Sequence, residues 1–486
     1  MYKHYAQPDR VSRALDVVCI GQLAGPLIFL LVLVLPVPQG LGPEGVKVAA
    51  ALLWVVIWWG TGAVPIAMTS LLPLILFPLM SIDSLSTVAE RYASPIIFLL
   101  IGGFILALAL ERAQLHRRLA LIVLRKFTGS AASIIGGFMV ATASMSMWIS
   151  NTASTLIMLP IALSVVAEAS SGSTERGARR FEVALLLGVA FSASVGGLGT
   201  LVGSPPNLLM AGYLQSEFGI EISFFGWLQF GLPIVVILLP VIWLSLTRLS
   251  FPIAERDLNI AAARSNIEDN YRGLGEMTPR EKRVALVFGA VALCWITRPF
   301  LQGIPGLAQL SDTAIALIGA IVLFIVPCGQ GGRLMDWATA EKLPWSVILL
   351  YGGGMALAGA MTSSGLTSWL VALVIESGSW QLFPLLLCVT AFTLILTELT
   401  NNSAALATLL PVLAAVTLSQ GYPILTLIIP ATLATSCAFM QPIATPPNAI
   451  VFATGKISIA QMASAGLLLN FLSVWIIGVL SFYLLS

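Results

Sequence analysis

Long apolar stretches separated by short polar ones occupy most of this 486-residue chain. A helix needs about 20 apolar residues to cross a bilayer. On that criterion we predict eleven spans, near residues 18–36, 45–61, 64–80, 94–111, 183–213, 224–247, 284–298, 313–327, 345–361, 426–453 and 462–485. The pattern therefore predicts an all-α protein that crosses a membrane many times.

Two further apolar stretches, at about 131–167 and 380–418, each carry an asparagine-containing polar segment near the centre. About fifteen residues on each side of that segment reach about 22 Å at the helical rise of 1.5 Å per residue. This length is enough to enter the membrane and turn back. We therefore predict that both stretches are re-entrant hairpins.

Four short polar segments form two pairs, with one member of each pair in each half of the chain. The Asn cassettes are Ser150-Asn151-Thr152-Ala153 and Asn401-Asn402-Ser403-Ala404, and the Pro-Pro cassettes are Ser204-Pro205-Pro206-Asn207 and Thr445-Pro446-Pro447-Asn448. The Pro-Pro cassettes fall inside the long stretches 183–213 and 426–453, which we interpret as helices broken within the membrane. Paired interruptions in two halves are typical of the binding site of a transporter.

The composition agrees with a membrane protein, because 58% of the residues are hydrophobic and only 9% are charged. The net charge of +2 is too small to indicate a nucleic-acid partner. A catalytic site needs several cooperating side chains, yet the chain has two histidines, and Glu398 is an isolated carboxylate beside the second Asn cassette. We therefore predict that the protein is not an enzyme. Glu398 is expected to bind a cation, carry a proton or pair with a distant arginine.

Basic residues are concentrated on both sides of the first predicted hairpin. They are Arg112, Arg117, Arg118, Arg125 and Lys126 before it, and Arg176, Arg179 and Arg180 after it. Because cytoplasmic loops are rich in Lys and Arg, the first hairpin is predicted to enter from the cytoplasm. The N-terminus, with Lys3, Arg10 and Arg13, is predicted to be a cytoplasmic leader, and the polar segment 251–283 a cytoplasmic connection between the halves.

Five predicted spans separate the two hairpins, and this odd number places the second hairpin on the opposite side of the membrane. The result is an inverted-topology repeat, as in many secondary transporters. Eleven spans also place the C-terminus opposite the N-terminus. The amphipathic segment 112–126 is predicted to be a helix on the cytoplasmic leaflet, with His116 as a solvated surface residue.

The Asn cassettes have the chemistry of an anion and cation site. Asn151 and Asn402 offer amide donors to a carboxylate and a carbonyl to a cation, and Thr152 and Ser403 each add a hydroxyl. Aligning the two halves on these asparagines pairs Ser146 with Thr397 and Ser150 with Asn401, which all carry oxygen. The facing broken helices differ, with Gly196, Gly197, Gly199 and Gly203 in the first half against Ala438, Met440 and Ala444 in the second. We therefore expect two related but unequal cation sites.

The chain closely resembles the divalent anion:sodium symporter family of INDY-type dicarboxylate and citrate carriers. The resemblance is carried by SMWISNTASTLIMLPIA, GGLGTLVGSPPN, TELTNNSAALATLLPV, SCAFMQPIATPPNAIVFATG, TGAVPIAMTSLLPLILFPLM and FLLIGGFILALALERAQLHRRLA. It implies a homodimer in the lipid bilayer of the cell (inner) membrane, with a scaffold domain and a transport domain that moves by an elevator mechanism. It also implies that Na⁺ is co-transported with succinate, malate or fumarate.

The resemblance implies the following sites and domains. One Na⁺ site uses Ser146, Ser150, Asn151 and Gly199, the other uses Thr397, Thr400, Asn402 and Ala444, and the substrate meets Asn151, Thr152, Asn401, Asn402 and Ser403. The domains are 1–130 (scaffold and interfacial helix), 131–223 (first transport repeat), 224–379 (scaffold, with the 251–283 connection), 380–460 (second transport repeat) and 461–486 (last span).

One departure from the family pattern concerns substrate choice. The second Asn cassette of the family usually reads Ser-Asn-Thr, whereas in this chain it reads Asn-Asn-Ser. We therefore predict Na⁺-coupled uptake of C4-dicarboxylates, and keep as alternatives a Na⁺-independent dicarboxylate or tricarboxylate exchanger and a sulfate transporter on the same fold. A channel is disfavoured because two opposed hairpins with polar tips suit occlusion better than a continuous pore.

Overall fold

The computed structural model describes residues 8–254, 257–329, 331–375 and 380–485, and the side chains of 8–17 and 374–375 are not included. Lys3, residues 255–256 of the predicted cytoplasmic connection and the predicted domain end at 379 lie outside the described residues. Within those residues the regular structure is helical, apart from one isolated bridge between Pro327 and Arg333. The all-α class predicted from the sequence is confirmed.

The first seven helices along the chain are α1 (Pro8–Val34), α2 (Pro43–Thr61), α3 (Ile66–Thr69), α4 (Leu72–Leu79), α5 (Leu85–Arg91), α6 (Pro95–Arg112) and α7 (Leu115–Leu124). Then follow α8 (Ala131–Ser146), α9 (Asn151–Ser170), α10 (Glu175–Gly196), a 3₁₀ turn (Gly197–Gly199), α11 (Pro205–Phe218) and α12 (Phe224–Leu244), which continues as a π turn (Ser245–Ser250). The connection and the helices after it are α13 (Ile260–Arg272), α14 (Pro279–Leu301), α15 (Asp312–Ile325), α16 (Trp337–Ala340), α17 (Trp345–Ser363) and α18 (Leu366–Ile375). The last five are α19 (Leu382–Leu399), α20 (Asn402–Ser419), α21 (Leu425–Ala434), α22 (Pro446–Phe452) and α23 (Ile459–Leu485).

Among the described residues, ten helices are long and apolar enough to cross a membrane. Three of them, α9, α19 and α20, are arms of the two predicted hairpins. The protein is therefore a multi-pass membrane protein, whereas the total of eleven spans stays a prediction.

One predicted span is not the single continuous helix expected from the sequence. Residues 64–80 form the two short helices α3 and α4 instead of a single helix. Pro73 has no N–H to donate to the carbonyl four residues earlier, so the helix is interrupted there. The side chain of Tyr92 donates to the Ser70 carbonyl at the break, and a Cβ on Gly353 would lie 2.5 Å from that same carbonyl oxygen.

The predicted hairpins are helix–turn–helix units whose two arms contact each other. The first consists of α8 and α9, with 16 and 20 residues, and the second of α19 and α20, with 18 each. The arms are longer than the fifteen residues expected from the sequence, and at 1.5 Å per residue they reach about 24–30 Å. Each turn coincides with an Asn cassette.

Both long polar-interrupted stretches are broken helices, as predicted. The first break separates α10 from α11 and the second separates α21 from α22, and the later helix starts at the first proline of its Pro-Pro cassette. Proline suits the first turn of a helix because its missing N–H has no partner there in any case. The two broken helices pack on each other, with the rings of Phe191 and Phe439 4.9 Å apart.

Helix α7 packs more deeply than the sequence indicated. His116 is buried rather than solvated, since only 4% of its surface is exposed and its Nδ1 lies 2.9 Å from the Leu110 carbonyl oxygen. Burial lowers the pKa of His116, although that hydrogen bond acts in the opposite direction. Arg118 is also buried and donates to Glu281 at 2.8 Å. The helical pattern of α7 was predicted correctly, but α13 and α14 cover part of its polar face.

The predicted connection 251–283 is not an open loop. Within it, α13 packs against α9 and α7. Asn266 Nδ2 donates to Ser164 Oγ at 2.8 Å, and Arg125 donates to Glu268 at 2.7 Å. The connection therefore links the second arm of the first helix pair, α9, to α7.

Candidate functional site

Each Asn cassette begins the second arm of a helix pair. Ser150 caps α9, because its Oγ accepts the Ala153 N–H at 3.2 Å. Asn401 caps α20 in the same way, since its Oδ1 accepts the N–H of Ser403 at 3.0 Å. Serine and asparagine are both good N-caps. Asparagine in place of the usual serine at position 401 therefore still caps the helix. It also adds an amide NH₂, and Asn401 is exposed.

Oxygen atoms surround the end of the Asn151 side chain. They are Ser146 Oγ at 2.6 Å and the carbonyl oxygens of Ala193 and Gly203 at 3.2 and 3.3 Å. Ser146 has a single hydroxyl proton, and its Oγ also lies 2.6 Å from the Ala193 carbonyl oxygen. Two arrangements satisfy this cluster. Either the amide turns its NH₂ toward the oxygens, or its Oδ1 and the other oxygens share a cation.

Glycines allow this close approach in the first half. A Cβ on Gly197 would lie 2.5 Å from Asn151 Oδ1, and one on Gly196 would lie 2.4 Å from the Ala143 carbonyl oxygen. A side chain at Gly196 would therefore require the backbone to move, and one at Gly197 would displace the Asn151 side chain. The structure therefore brings Ser146 and Asn151 together with the loop 197–203, whereas Gly199 lies against the side chain of Met147.

The second half has the same plan with different partners. Asn402 Oδ1 is buried and has no hydrogen-bond partner among the residues that the structure describes. Thr397 is fully buried and, like Thr400, donates its hydroxyl to a carbonyl of its own helix at 2.9 Å. Both hydroxyls keep lone pairs for another partner. An unpaired buried amide oxygen is costly, so Asn402 Oδ1 is suited to accept a hydrogen bond or to bind a cation.

Two other predicted residues of this half are also buried. Ser403 and Ala444 are 8% and 5% exposed, and Ala444 lies in the loop between α21 and α22. Asn401 is exposed, and Asn402 is intermediate, as are Asn151 and Thr152 in the first half. Four of the five predicted substrate residues are thus at least partly accessible, whereas Ser403 is buried like the predicted cation residues Ser146, Thr397 and Ala444.

Glu398 holds the second helix pair to the second broken helix. Its Oε1 accepts the Met440 N–H at 2.9 Å, and its Oε2 accepts the Gln441 N–H at 3.0 Å. Asn470 of α23 donates to Oε1 at 2.7 Å. Glu398 forms no ion pair within the described part of the chain. The alternative of an arginine partner is therefore wrong for these residues, and hydrogen bonds stabilise the carboxylate instead.

Asn470 was not singled out from the sequence. It is a lone amide in the apolar run LLLNFLS, 6% exposed, and it also accepts the Phe439 N–H at 3.3 Å. A polar side chain in the middle of an apolar span is a sequence signal from which Asn470 could have been identified.

Known proteins resemble this chain in sequence and in fold. The family model described as the sodium:sulfate symporter transmembrane region matches residues 19–484. The sodium-dependent dicarboxylate transporter SdcS of Staphylococcus saprophyticus is 41% identical over 474 residues, which cover 96% of this chain and 91% of the relative. SdcS of Staphylococcus aureus is also 41% identical, over 475 residues, with the same coverage.

Two solved structures share the fold. MtrF of Neisseria gonorrhoeae superimposes with a TM-score of 0.59 at 12% identity, and the match covers 99% of this chain and 96% of that one. The YdaH transporter of Alcanivorax borkumensis gives a TM-score of 0.56 at 15% identity, with coverage of 82% and 87%. At these identities the likeness concerns the fold alone.

Proposed function

Because this chain belongs to the sodium:sulfate symporter family, also called the divalent anion:sodium symporters, we propose that it imports C4-dicarboxylates such as succinate, malate and fumarate together with Na⁺. The observation that carries the proposal is the 41% identity to a sodium-dependent dicarboxylate transporter over 96% of this chain. The oxygen clusters at Asn151 and Asn402 supply the chemistry. Na⁺ is a co-transported ion in this scheme and not a resident cofactor.

The same proposal includes the architecture. The helix pairs α8/α9 and α19/α20 act as opposed re-entrant hairpins, and together with the broken helices they form the transport domain of residues 131–223 and 380–460. The remaining helices form a scaffold through which two copies associate in the lipid bilayer. The N-terminus is cytoplasmic and the C-terminus lies on the other side of the cell membrane. An elevator movement of the transport domain then alternates access to the site.

The Asn151 amide offers a physical basis for coupling. Without a cation, the most favourable arrangement has the Asn151 NH₂ donating to the carbonyl oxygens of Ala193 and Gly203. With Na⁺ among these oxygens, Oδ1 faces the ion and the NH₂ is free to donate to a substrate carboxylate. Na⁺ binding thus creates the donor that the substrate needs. By linkage, substrate binding must then tighten Na⁺ binding by the same factor.

The charge of the dianion also needs compensation within the site. Neither Asn cassette contains a lysine or an arginine. The N-termini of α9 and α20 begin at Asn151 and Asn402, and their free N–H groups and positive dipole ends favour an anion. Together with bound Na⁺ they replace a buried cationic side chain.

Uptake of radiolabelled succinate into proteoliposomes tests the proposal. We expect accumulation with an inward Na⁺ gradient and none when K⁺ replaces Na⁺. Uptake that is independent of Na⁺ and requires succinate inside the vesicles would instead identify an exchanger. Active protein that takes up succinate under neither condition would contradict the dicarboxylate assignment.

The family description also names sulfate. This alternative is tested in the same vesicles by competition. If the chain is a dicarboxylate carrier, a hundredfold excess of sulfate leaves succinate uptake almost unchanged, whereas unlabelled malate or fumarate reduces it.

The additional amide at Asn401 gives a separate prediction. Asn401→Ser keeps an N-cap, so its melting temperature should match the wild type, while Asn401→Ala loses the cap at a cost of about 1 kcal/mol. If the Asn401 NH₂ donates to the substrate, Asn401→Ser raises the KM for succinate roughly fivefold, as expected for one lost hydrogen bond. Thermal unfolding and uptake kinetics measure both effects. An unchanged KM would show that Asn401 serves only as a cap.

A further inference from the structure

The asparagine that ends the first Pro-Pro cassette bridges the helix break. Asn207 is fully buried, and its Nδ2 donates to the carbonyl oxygens of Gly197 at 3.0 Å and Thr200 at 2.8 Å. These carbonyls lie ten and seven residues before it. One side-chain amide therefore ties the end of α10 to the beginning of α11.

The second Pro-Pro cassette repeats this bridge. Asn448 is fully buried, and its Nδ2 donates to the carbonyl oxygens of Ala438 and Gln441, both at 3.1 Å. The spacing is again ten and seven residues. The pattern recurs although residues 197–200 read Gly-Leu-Gly-Thr and residues 438–441 read Ala-Phe-Met-Gln. The bridge therefore depends on the asparagine and not on the loop sequence.

A broken helix needs such a donor. Where the chain leaves helical geometry, the carbonyls of the last turn lose their partners, and in a membrane protein no bulk water replaces them. The two prolines of each cassette add no N–H groups. Each asparagine donates to two carbonyls just after the first helical segment, the second of which also accepts a backbone N–H, and its own Oδ1 remains buried without a partner among the described residues. The hydrogen bonds made by the NH₂ group therefore determine the orientation of each asparagine side chain.

The bridged loops carry the proposed cation-binding groups. Thr200 and Gly197 flank Gly199, and the carbonyl of Gly203 in the same loop lies beside Asn151. In the second half, Ala444 lies between Gln441 and Asn448. The conformation of each loop therefore determines where its carbonyl oxygens lie relative to the Asn cassette.

We infer that Asn207 and Asn448 are equivalent positioning residues, one in each repeat, which hold the two helix breaks in the shape that Na⁺ binding requires. This inference rests on the proposed Na⁺-coupled transport. Neither residue needs to touch Na⁺ or the substrate. Their loss should weaken Na⁺ binding first, and substrate binding only through it.

Asn207→Asp and Asn448→Asp test this role, because aspartate has the same shape as asparagine but lacks the NH₂ donor. The matched control is Asn266→Asp on α13, whose amide donates to Ser164 outside both cassettes. In each variant, the Na⁺ concentration for half-maximal thermal protection of the purified protein is measured, along with that for half-maximal succinate uptake. We expect both to rise about tenfold in the two cassette variants, and the KM for succinate at saturating Na⁺ to change less than threefold.

The outcomes separate this inference from the proposed function. If wild-type protein shows no Na⁺-driven uptake, the proposed function fails. If the wild type transports but Asn207→Asp and Asn448→Asp retain its Na⁺ dependence, only the inference fails. Variants that tighten Na⁺ binding would make the side-chain oxygen a direct ligand, which also overturns it.

Asn207→Ser and Asn448→Ser, which keep one donor, serve if the aspartate variants do not fold. An intermediate rise in the half-maximal Na⁺ concentration supports the inference. Failure of all four variants to fold, while Asn266→Asp folds, would assign both asparagines to folding alone and overturn it.

Discussion

Asn151→Asp is expected to reduce Na⁺-driven succinate uptake by about 100-fold or more while Na⁺ binding persists. An aspartate presents two oxygens to the cluster formed by Ser146, Ala193 and Gly203, which suits a cation. It has no NH₂ for the substrate and adds a negative charge beside a dianion. A lost charge-assisted hydrogen bond together with this repulsion amounts to roughly 3 kcal/mol, or about two orders of magnitude in affinity.

Two measurements on the purified variant check this expectation. Na⁺-dependent thermal protection reports cation binding, and equilibrium binding of labelled succinate reports the substrate. Asn402→Asp is the companion in the second repeat, and Asn266→Asp on α13 controls for the added charge. If Asn151→Asp still binds succinate with wild-type affinity, Asn151 does not bind the substrate.

Glu398→Leu is expected to destabilise the protein by about 3 kcal/mol or more, because two backbone N–H groups and the Asn470 amide lose their acceptor. Glu398→Gln keeps the size and one acceptor oxygen, so its loss should be intermediate. Thermal unfolding with and without Na⁺ measures these effects. In Glu398→Gln the Na⁺ protection should also weaken, since the loop at Met440 and Gln441 is held less firmly.

A proton-carrying role for Glu398 makes a different prediction. In that case Glu398→Gln would unfold at the wild-type temperature, and its uptake would lose the pH dependence of the wild type. This pair of results would contradict an anchoring role. Uptake between pH 5.5 and 8.5 in both proteins distinguishes the two.

The two repeats use different means to fix equivalent loops. In the first half, Thr200 donates its hydroxyl to the carbonyl of Met147, the residue equivalent to Glu398 when the Asn cassettes are aligned. Glycines let the backbone approach closely there. In the second half, where Ala438 and Met440 replace glycines, the Glu398 carboxylate accepts from the loop. The two loops therefore differ in their contacts, and the expectation of two unequal cation sites stays a prediction.

The helix breaks and helix pairs could be predicted because their causes are local. Proline has no N–H, and small polar residues end an apolar helix wherever they occur, so the cassettes revealed both features. The same argument predicted a helix break at each Pro-Pro cassette, and α11 and α22 begin there, at Pro205 and Pro446. It was not applied to Pro73, and the stretch 64–80 was therefore predicted as one continuous helix instead of two short ones.

The partners of buried polar residues could not be predicted, because they come from distant parts of the chain. Glu398 meets Asn470, 72 residues away, and Arg118 meets Glu281, 163 residues away. The sequence around His116 has the pattern of an exposed helix face, and only the packing around α7 buries it. Hydropathy reports the preference of a segment for lipid and does not show which residues meet inside the protein.

The most direct test of Na⁺ coupling at the cassettes is the dissociation constant for succinate, measured on purified protein as Na⁺ is raised and choline lowered at constant ionic strength. We predict that the dissociation constant falls at least tenfold, and that the fall is abolished in Asn151→Asp because that variant has no NH₂ for Na⁺ to free. Linkage requires succinate to tighten Na⁺ binding by the same factor in the wild type. A dissociation constant that does not change with Na⁺ would contradict the account.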